Sequence, residues 1–313
     1  INGHILLFPA LAILILAPEY FLPIRNFASD YHATLNGKNS FHAVRRILEM
    51  PLPKRPTVEL HQWTGVDELS LENVEFMYPQ NGSELTNLDL TVKGNQKIGI
   101  IGMSGAGKTT LINLLSGFLA PTSGQITIQG KKVTTLDIHD WQKQILYIPQ
   151  TPYIFADTLK NNIAFYTPNV SEDKIKEAIH VVGLDNLVAE LPQGLETMIG
   201  SGHRALSGGQ AQRIALARAF LDPERRVMIF DEPTAHLDIE TELELKKRML
   251  PLMENRLVFF ATHRLHWMKQ MDYILVLKNG KLIEQGTYQQ LLDEHGYFTE
   301  LMDQTRGKEI THE

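Results

Sequence analysis

A long apolar stretch opens the chain. Residues 5–24 are almost entirely apolar and contain one charged side chain, Glu19. About 20 apolar residues in a helix suffice to cross the hydrocarbon core of a bilayer. Apolar residues then recur at helical spacing from Phe27 to Leu48, so the helix is expected to continue beyond the apolar run. The pattern predicts a membrane-spanning helix and its extension within residues 1–50.

Two other interpretations of this stretch are a secretory signal peptide and a buried helix of a soluble protein. No basic segment precedes the run and no small-residue cleavage site follows it, which argues against the signal peptide. Four basic residues follow the run and predict that its C-terminal side faces the cytoplasm: Arg25, Lys38, Arg45 and Arg46. Pro9, Pro18 and Pro23 are expected to kink the helix. Glu19 lies near the predicted cytoplasmic end of the helix. Two interpretations of this residue stay open: it lines a transport pathway, or it is a solvated carboxylate at the membrane interface.

From residue 69 onward the pattern changes to short apolar runs that are bounded by polar turns. Strands are predicted at residues 69–76, 88–92, 97–101, 145–148, 227–230 and 257–261. Helical stretches alternate with them. In residues 171–182, Ser171 stands at the N-cap position and Ile175, Ile179 and Val182 share one face. Residues 69–313 therefore read as an α/β domain, joined to the N-terminal helix by a proline-containing linker over residues 51–68.

Composition narrows the class of protein. The 313 residues are 43% hydrophobic and 21% charged, as in folded globular chains. The net charge of -6 provides no basic excess that would indicate nucleic acid as a partner. Because the chain has no cysteine, disulfides and thiolate metal sites are excluded. The chain begins with Ile1 rather than methionine, and we expect it to be the C-terminal piece of a longer polypeptide.

A glycine-rich loop follows the predicted strand at residues 97–101. Residues 102–109 read Gly-Met-Ser-Gly-Ala-Gly-Lys-Thr, which fits the phosphate-loop pattern between a strand and a helix. Backbone N–H groups of such a loop surround phosphates, the lysine adds a positive charge and the threonine hydroxyl can bind Mg²⁺. The loop predicts a nucleotide site with Mg²⁺ as cofactor, and by itself it leaves kinases, GTPases, motors and helicases open. Its predicted phosphate-binding residues are Gly102, Ser104, Gly105, Ala106, Gly107, Lys108, Thr109 and Thr110.

Two carboxylates end the apolar strand at residues 227–230. Asp231 is predicted to hold Mg²⁺, and Glu232 to act on the water that attacks the γ-phosphate as general base. A solvated carboxylate at a strand end is the alternative for Glu232. His263 follows the strand at residues 257–261, where a single histidine is by itself more often structural.

A second glycine-rich element, Leu206-Ser207-Gly208-Gly209-Gln210, stands at the start of a predicted helix. This element resembles the signature motif of ATP-binding cassette (ABC) proteins. The whole set of motifs is similar to that family in order and approximate spacing: the phosphate loop, Gln150, the signature, the carboxylate pair, a turn through Asp238, and His263. The resemblance covers about residues 69–295.

The resemblance implies a phosphate-loop NTPase fold with a RecA-like core, an antiparallel β subdomain and a helical subdomain at about residues 151–215. It implies that Gln150 senses the γ-phosphate and the metal, as a catalytic residue and a metal ligand with Thr109 and Asp231. It also implies that His263 is a catalytic residue that orients the attacking water. Tyr78 lies where an aromatic ring stacks on adenine, or is a core aromatic at a strand end. Ser207, Gly208, Gly209 and Gln210 would close over ATP that is held by a second cassette.

A membrane helix directly ahead of the cassette resembles the exporter type of ABC transporter. Residues 16–33 and the sequence Gly209-Gln210-Ala211-Gln212-Arg213 are similar to the CydD family of bacterial cysteine and glutathione exporters. That similarity implies a heterodimer with a CydC-like half, a thiol substrate, contact with membrane lipid, a bacterial cell-membrane location with the cassette in the cytoplasm, and a link to cytochrome bd assembly.

Two positions depart from the family pattern. Many exporters carry Glu-Arg-Gly before the signature, where this chain has Gly200-Ser201-Gly202-His203-Arg204. The usual serine after the carboxylate pair is replaced by Ala235. Two alternatives stay open from the sequence: a homodimeric lipid or multidrug exporter, and a nonmembrane ABC ATPase that acts on nucleic acid.

Overall fold

The structure is a computed structural model that describes residues 7–50, 55–79, 84–235, 237 and 239–310, with the backbone alone for residues 239, 240 and 305–310. The expected turn through Asp238, and Pro51 and Pro53 of the predicted linker, lie outside the described residues. The chain divides into two compact units, Ile1–Lys54 and Arg55–Glu313.

The first unit contains one long helix, α1 (Leu7–Leu48). Its 42 residues correspond to about 60 Å, roughly twice the hydrocarbon thickness of a bilayer. The helix continues through Pro18 and Pro23, and none of its residues is buried. Among the described residues it is the one helix long and apolar enough to cross a membrane, with a mean hydropathy of 1.9 over its apolar window. The predicted extension of the helix beyond the apolar run is confirmed.

The second unit contains three sheets. The strands are β1 (Glu68–Met77), β2 (Glu84–Lys93), β3 (Lys97–Ile101), β4 (Ser123–Ile128), β5 (Lys131–Val133), β6 (Ile145–Ile148), β7 (Asp157–Thr158), β8 (Met198–Ile199), β9 (Val227–Asp231), β10 (Leu257–Ala261), β11 (Tyr273–Lys278) and β12 (Lys281–Gly286). The central sheet has the order β12-β11-β3-β10-β9-β6. Its strands are parallel except β12, which pairs antiparallel with β11. An antiparallel sheet, β2-β1-β4-β5, and the short pair β7-β8 complete the set.

The helices of the second unit alternate with these strands. They are α2 (Lys108–Leu115), α3 (His139–Lys143), α4 (Leu159–Ile163), α5 (Glu172–Val182), α6 (Asp185–Glu190), α7 (Gly208–Leu221), α8 (Ile239–Leu252), α9 (Tyr288–Asp293) and α10 (Tyr297–Ile310), with 3-10 turns at Gly194–Glu196 and Leu265–Gln270. On α5 the predicted apolar face is buried, and Ser171 stands at its N-cap without a side-chain capping bond. The predicted fold class, α/β with an antiparallel sheet and a helical part, is confirmed.

Side chains of the central sheet point alternately into two hydrophobic cores, as strand geometry requires. On β9, Met228 and Phe230 join the core that includes the helical part, α4 to α7. Val227 and Ile229 join the core beneath the antiparallel sheet and α2. Burial on both faces explains why this strand is a continuous apolar run in the sequence.

The described part of the predicted linker packs on the second unit. Trp63 is 1% exposed, and its ring meets that of Trp141 edge-on with centroids 5.7 Å apart. Its backbone N–H donates to Gln144 Oε1 at 2.6 Å, and its indole N–H donates to the Gly94 carbonyl at 3.0 Å. Residues from Arg55 onward therefore belong to the compact second unit.

Parallel strands bring the predicted site residues to one edge of the central sheet. Ala261 at the end of β10 pairs with Asp231 on β9 and with Ile100 on β3. Ile148 at the end of β6 pairs with Phe230. Because the carboxyl ends of four neighbouring strands are aligned, the loops that follow them form one side of the domain.

Candidate functional site

The phosphate loop links β3 to α2 and is shaped by its glycines. Gly107 is the N-cap of α2 with φ of 103°, and a Cβ there would lie 2.8 Å from Leu85 Cδ2. The Lys108 ammonium, which is 6% exposed, donates to the carbonyl oxygens of Gly102 at 2.9 Å and Met103 at 3.3 Å. The lysine thus holds two carbonyl groups of the loop together. The first N–H groups of α2 have no intrahelical acceptor and are free to bind phosphate.

Asp231 ends β9 and is 3% exposed. Burial raises the pKa of its carboxyl group, while a hydrogen bond from Thr109 acts in the opposite direction. Its Oδ1 atom is buried without a hydrogen-bond partner. A buried carboxylate oxygen that lacks a partner, beside a threonine hydroxyl, fits the oxygen ligands that Mg²⁺ prefers. Asp231 and Thr109 therefore fit the metal site that the sequence predicts.

Glu232 has a backbone φ of 49°, which is rare for a residue other than glycine, and its carboxylate lies close to Lys108 of the phosphate loop. Three side chains surround this carboxylate. His263 Nδ1 lies 3.1 Å from Oε2, Gln150 Nε2 donates to Oε2 at 3.2 Å, and Lys108 Nζ lies 3.6 Å from Oε1. The hydrogen bond with His263, together with the positive charge of Lys108, lowers the pKa of Glu232 against the opposing effect of burial. The carboxylate is ionised at neutral pH and can accept a proton.

His263 follows β10 and has a half-exposed side chain. Since the ionised Glu232 carboxylate only accepts hydrogen bonds, Nδ1 of His263 carries the hydrogen in this contact. The Nε2 atom is then an unprotonated acceptor in the neutral ring. The chain therefore places a base and a histidine acceptor together beside the phosphate loop.

A cavity of about 430 Å³ joins these groups. Its lining consists of Ser104, Gly105, Gly107, Lys108, Thr109, Thr110, Gln150, Glu232 and His263. A larger cleft of about 660 Å³ is lined by Tyr166, Asp222 and Arg225 among others, but by none of the predicted site residues. The smaller cavity, which is lined by most of the predicted phosphate-binding residues, by Thr109 and Gln150 of the predicted metal ligands and by the predicted base, is the candidate nucleotide site.

Tyr78 lies outside the lining of this cavity. It follows β1 and is half-buried, with its ring edge-on to Phe76 at a centroid distance of 4.6 Å. It also packs against the core beneath the antiparallel sheet. Stacking of adenine on Tyr78 stays a prediction.

The signature segment forms the start of α7. Ser207 is the N-cap, its hydroxyl accepts the N–H of Gln210 at 3.2 Å, and the Gln210 side chain accepts the N–H of Ser207 at 2.9 Å. This capping box leaves Gly208 exposed in the first turn, where helix N–H groups lack intrahelical acceptors. None of these residues lines the cavity at the phosphate loop. The signature therefore lies apart from the cavity at the chain's own phosphate loop, and its binding of a partner's ATP stays a prediction.

Sequence reasoning missed Glu242 on α8, a carboxylate that is 1% exposed and hydrogen-bonded to Thr234 and Trp267. The available signal was weak, since one acidic residue in a helix rich in charges gives no sign of burial. Ser201, Gly202, His203 and Arg204, at the first departure from the family pattern, form an exposed turn.

Comparison with known families and structures agrees with this geometry. Residues 85–235 match the family model described as ABC transporter. A bacterial Atm1-family ABC exporter with ATP bound has a similar structure, with a TM-score of 0.75 and 28% identity over 92% of this chain and 50% of that one.

Several curated proteins are similar in sequence. The glutathione/L-cysteine transport system ATP-binding/permease protein CydC of Bacillus subtilis is 53% identical over 98% of this chain and 53% of its own length. CydD of Escherichia coli is 33% identical over 92% of this chain and 49% of its own length. An ATP-dependent lipid A-core flippase of Ralstonia nicotianae is 37% identical over 75% of this chain and 40% of its own length.

The chain spans about half the length of the curated relatives it matches. The expected similarity to CydD is present, but the identity to a CydC protein is higher. A CydD role, as distinct from that of CydC, is not confirmed.

Proposed function

The chain belongs to the ABC transporter family and is of the exporter type, and from this premise we propose that it drives export of small thiols, cysteine or glutathione, by hydrolysing ATP. The observation that carries the proposal is the 53% identity to a glutathione/L-cysteine transport protein across 98% of the chain. That similarity includes α1 as well as the cassette. A second thiol-transport protein, CydD, is also similar across 92% of the chain.

Each residue of the candidate site has a proposed role in hydrolysis. The phosphate loop and Lys108 bind the β- and γ-phosphates, and Glu232 accepts a proton from the attacking water. His263 Nε2 can accept a hydrogen bond from the same water and orient it. Thr109, Asp231 and Gln150 would hold Mg²⁺, which neutralises negative charge on the phosphates when bound. Three of the described residues with these roles, Gly102, Ala106 and Asp231, are not part of the cavity lining.

The position of the signature segment indicates that the cassette acts together with a second cassette. Because Ser207 to Gln210 lie away from the chain's own phosphate loop, we propose that they close over ATP bound by a second ABC half. Two cassettes would then enclose two ATP molecules and move the attached membrane helices as they close and reopen. The similarity to both CydC and CydD favours a heterodimer of this chain with the other type of half.

We place α1 in the bacterial cell membrane and the cassette in the cytoplasm. Arg45 and Arg46 in the last turn of α1 agree with a cytoplasmic end of the helix. Most large apolar residues of α1 are exposed within the described structure, as expected of a helix whose neighbours are lipid and other membrane helices. A link to cytochrome bd assembly belongs to the same proposal and follows from thiol export.

The test is transport into inverted membrane vesicles that contain the full-length transporter and its partner half. We expect labelled cysteine or glutathione to accumulate in the vesicles when ATP is supplied. No accumulation is expected when a non-hydrolysable ATP analogue replaces ATP. Vesicles with Glu232→Gln provide the matched control. Absence of ATP-dependent uptake of both thiols would overturn the substrate assignment.

A lipid exporter is the second candidate, because the lipid A-core flippase of Ralstonia nicotianae is 37% identical over 75% of the chain. ATP-dependent movement of a labelled lipid across the vesicle membrane, without thiol uptake, would support that candidate instead. If the full-length protein assembles only with copies of itself, without a second type of half, the result would favour a homodimer over the heterodimer.

A further inference from the structure

Glu242 is a charged side chain in a position where charge is costly. It lies on α8 and is 1% exposed. Burial of a carboxylate is unfavourable unless hydrogen bonds and opposite charges replace the water that it loses. The contacts of Glu242 therefore indicate what the residue holds in place.

Four donors from two different loops surround this carboxylate. Thr234 Oγ1 and Trp267 Nε1 each donate to Oε1 at 2.7 Å. Arg264 donates to Oε2, and His266 Nε2 lies 3.4 Å from Oε1. These hydrogen bonds outweigh the effect of burial and lower the pKa of Glu242 to about 2. The side chain is an anion at every physiological pH.

The two loops are those that carry the proposed base and the proposed histidine. Thr234 lies two residues after Glu232, and Arg264 is adjacent to His263. Arg264 also donates to the Leu237 carbonyl at 2.8 Å, which adds a second link between the loops. Its backbone N–H donates to Thr262 Oγ1 at 3.0 Å and so shapes the backbone on both sides of His263.

We infer that Glu242 is a positioning residue for ATP hydrolysis, which fixes the His263 loop relative to the Glu232 turn and so maintains the contact between their side chains. The contact in question is the 3.1 Å distance from His263 Nδ1 to Glu232 Oε2. Glu242 does not line the nucleotide cavity and acts through the two loops. The inference rests on the catalytic roles proposed above for Glu232 and His263.

Replacement of Glu242 by glutamine isolates this function. Glutamine has nearly the same volume, and its oxygen can still accept from Thr234 and Trp267. Its amide nitrogen, however, faces the Arg264 guanidinium, so that a donor meets a donor. Arg264 is then expected to move, and the loop that carries His263 with it.

The experiment measures steady-state ATP hydrolysis by the full-length transporter assembled with its partner half. For Glu242→Gln we expect kcat to fall by about 10- to 100-fold, since displacement of a catalytic group by about 1 Å has effects of that size. The KM for ATP should stay within about twofold, because the phosphate loop itself is not altered.

Glu284→Gln is the matched control. Glu284 accepts the backbone N–H groups of Tyr297 and Phe298 at the start of α10, and it is not part of the cavity lining. Its replacement should lower thermal stability and leave kcat unchanged. If Glu242→Gln changes kcat no more than Glu284→Gln does, the positioning role is wrong. The positioning role is also wrong if the loss of kcat/KM comes entirely from a rise in KM, with kcat unchanged.

A second variant covers the case in which Glu242→Gln fails to fold. Thr234→Val keeps the shape of the side chain and removes one link between the Glu232 turn and Glu242, and a loss of kcat of about threefold or more with unchanged KM is expected. Wild-type kcat in Thr234→Val would overturn the inference. Glu232→Gln, measured in the same preparation, distinguishes failure of the positioning role from failure of the proposed site. Normal turnover of the Glu232→Gln variant would refute the proposed site itself.

Discussion

The buried carboxylate of Glu242 should make the stability of the cassette depend on pH in a way that one substitution removes. The pKa of this group falls from 4.5 to about 2 on folding. A shift of this size corresponds to about 3 kcal/mol of unfolding free energy at neutral pH. The whole shift applies because the side chain is 1% exposed, so that solvent screens its hydrogen bonds little.

The sign follows from the direction of the shift. Since the folded pKa is lowered, the contribution is complete above pH 4.5 and disappears as the pH falls towards 2. Linkage gives a loss of about 1 kcal/mol by about pH 4 and about 2 kcal/mol by about pH 3. Other carboxylates titrate in the same range, so the informative quantity is the difference between the wild type and Glu242→Gln.

The assay is urea denaturation of residues 55–313 at several pH values from 7 to 3, with Glu242→Gln and Glu284→Gln in parallel. The stability difference between the wild type and Glu242→Gln should be largest at neutral pH and shrink with acidification by the amounts above. A difference that stays constant over this range, or a Glu242→Gln variant as stable as the wild type at pH 7, would refute the description of Glu242 as a buried anion.

Three further predictions concern the nucleotide and signature positions. Lys108→Ala should weaken equilibrium binding of labelled ATP by about tenfold or more, because a hydrogen bond from a charged group contributes about 1.5–3 kcal/mol; wild-type affinity would contradict this role. Asp231→Asn should abolish the gain in ATP affinity that Mg²⁺ gives the wild type, measured by ATP titration with and without Mg²⁺, and a retained gain would exclude Asp231 as a ligand. Ser207→Ala removes half of the capping box on α7 and should lower the unfolding free energy by about 1 kcal/mol. The same variant should slow turnover when paired with a wild-type partner half, and unchanged stability and turnover together would refute both roles of Ser207.

The strands that lead into the site are predictable from sequence because both of their faces are buried. The predicted strands at residues 97–101, 145–148 and 257–261 agree with β3, β6 and β10 at both ends. Each is a continuous apolar run with polar residues on either side, so the signal does not depend on distant parts of the chain. The phosphate loop and the signature follow from local patterns in the same way.

Other features depend on contacts that no local pattern contains. Trp63 lies within the predicted linker, yet it is buried against Trp141, 78 positions further along the sequence. Glu242 likewise acquires its donors from residues 8 and 25 positions away, Thr234 and Trp267. In both cases the environment of the side chain is created by the tertiary fold: the linker context suggested an exposed segment around Trp63, and the residue type suggested an exposed Glu242.

The most direct test of the central claim, that this chain hydrolyses ATP through Glu232, is the turnover of Glu232→Gln in the transporter assembled with a partner half whose own general base is also replaced. The predicted result is a loss of ATP hydrolysis of about 100-fold or more, as expected when a general base is removed, with ATP retained at the site. Restoring Glu232 in this chain alone should restore hydrolysis. Near-normal hydrolysis by the Glu232→Gln transporter would contradict the account.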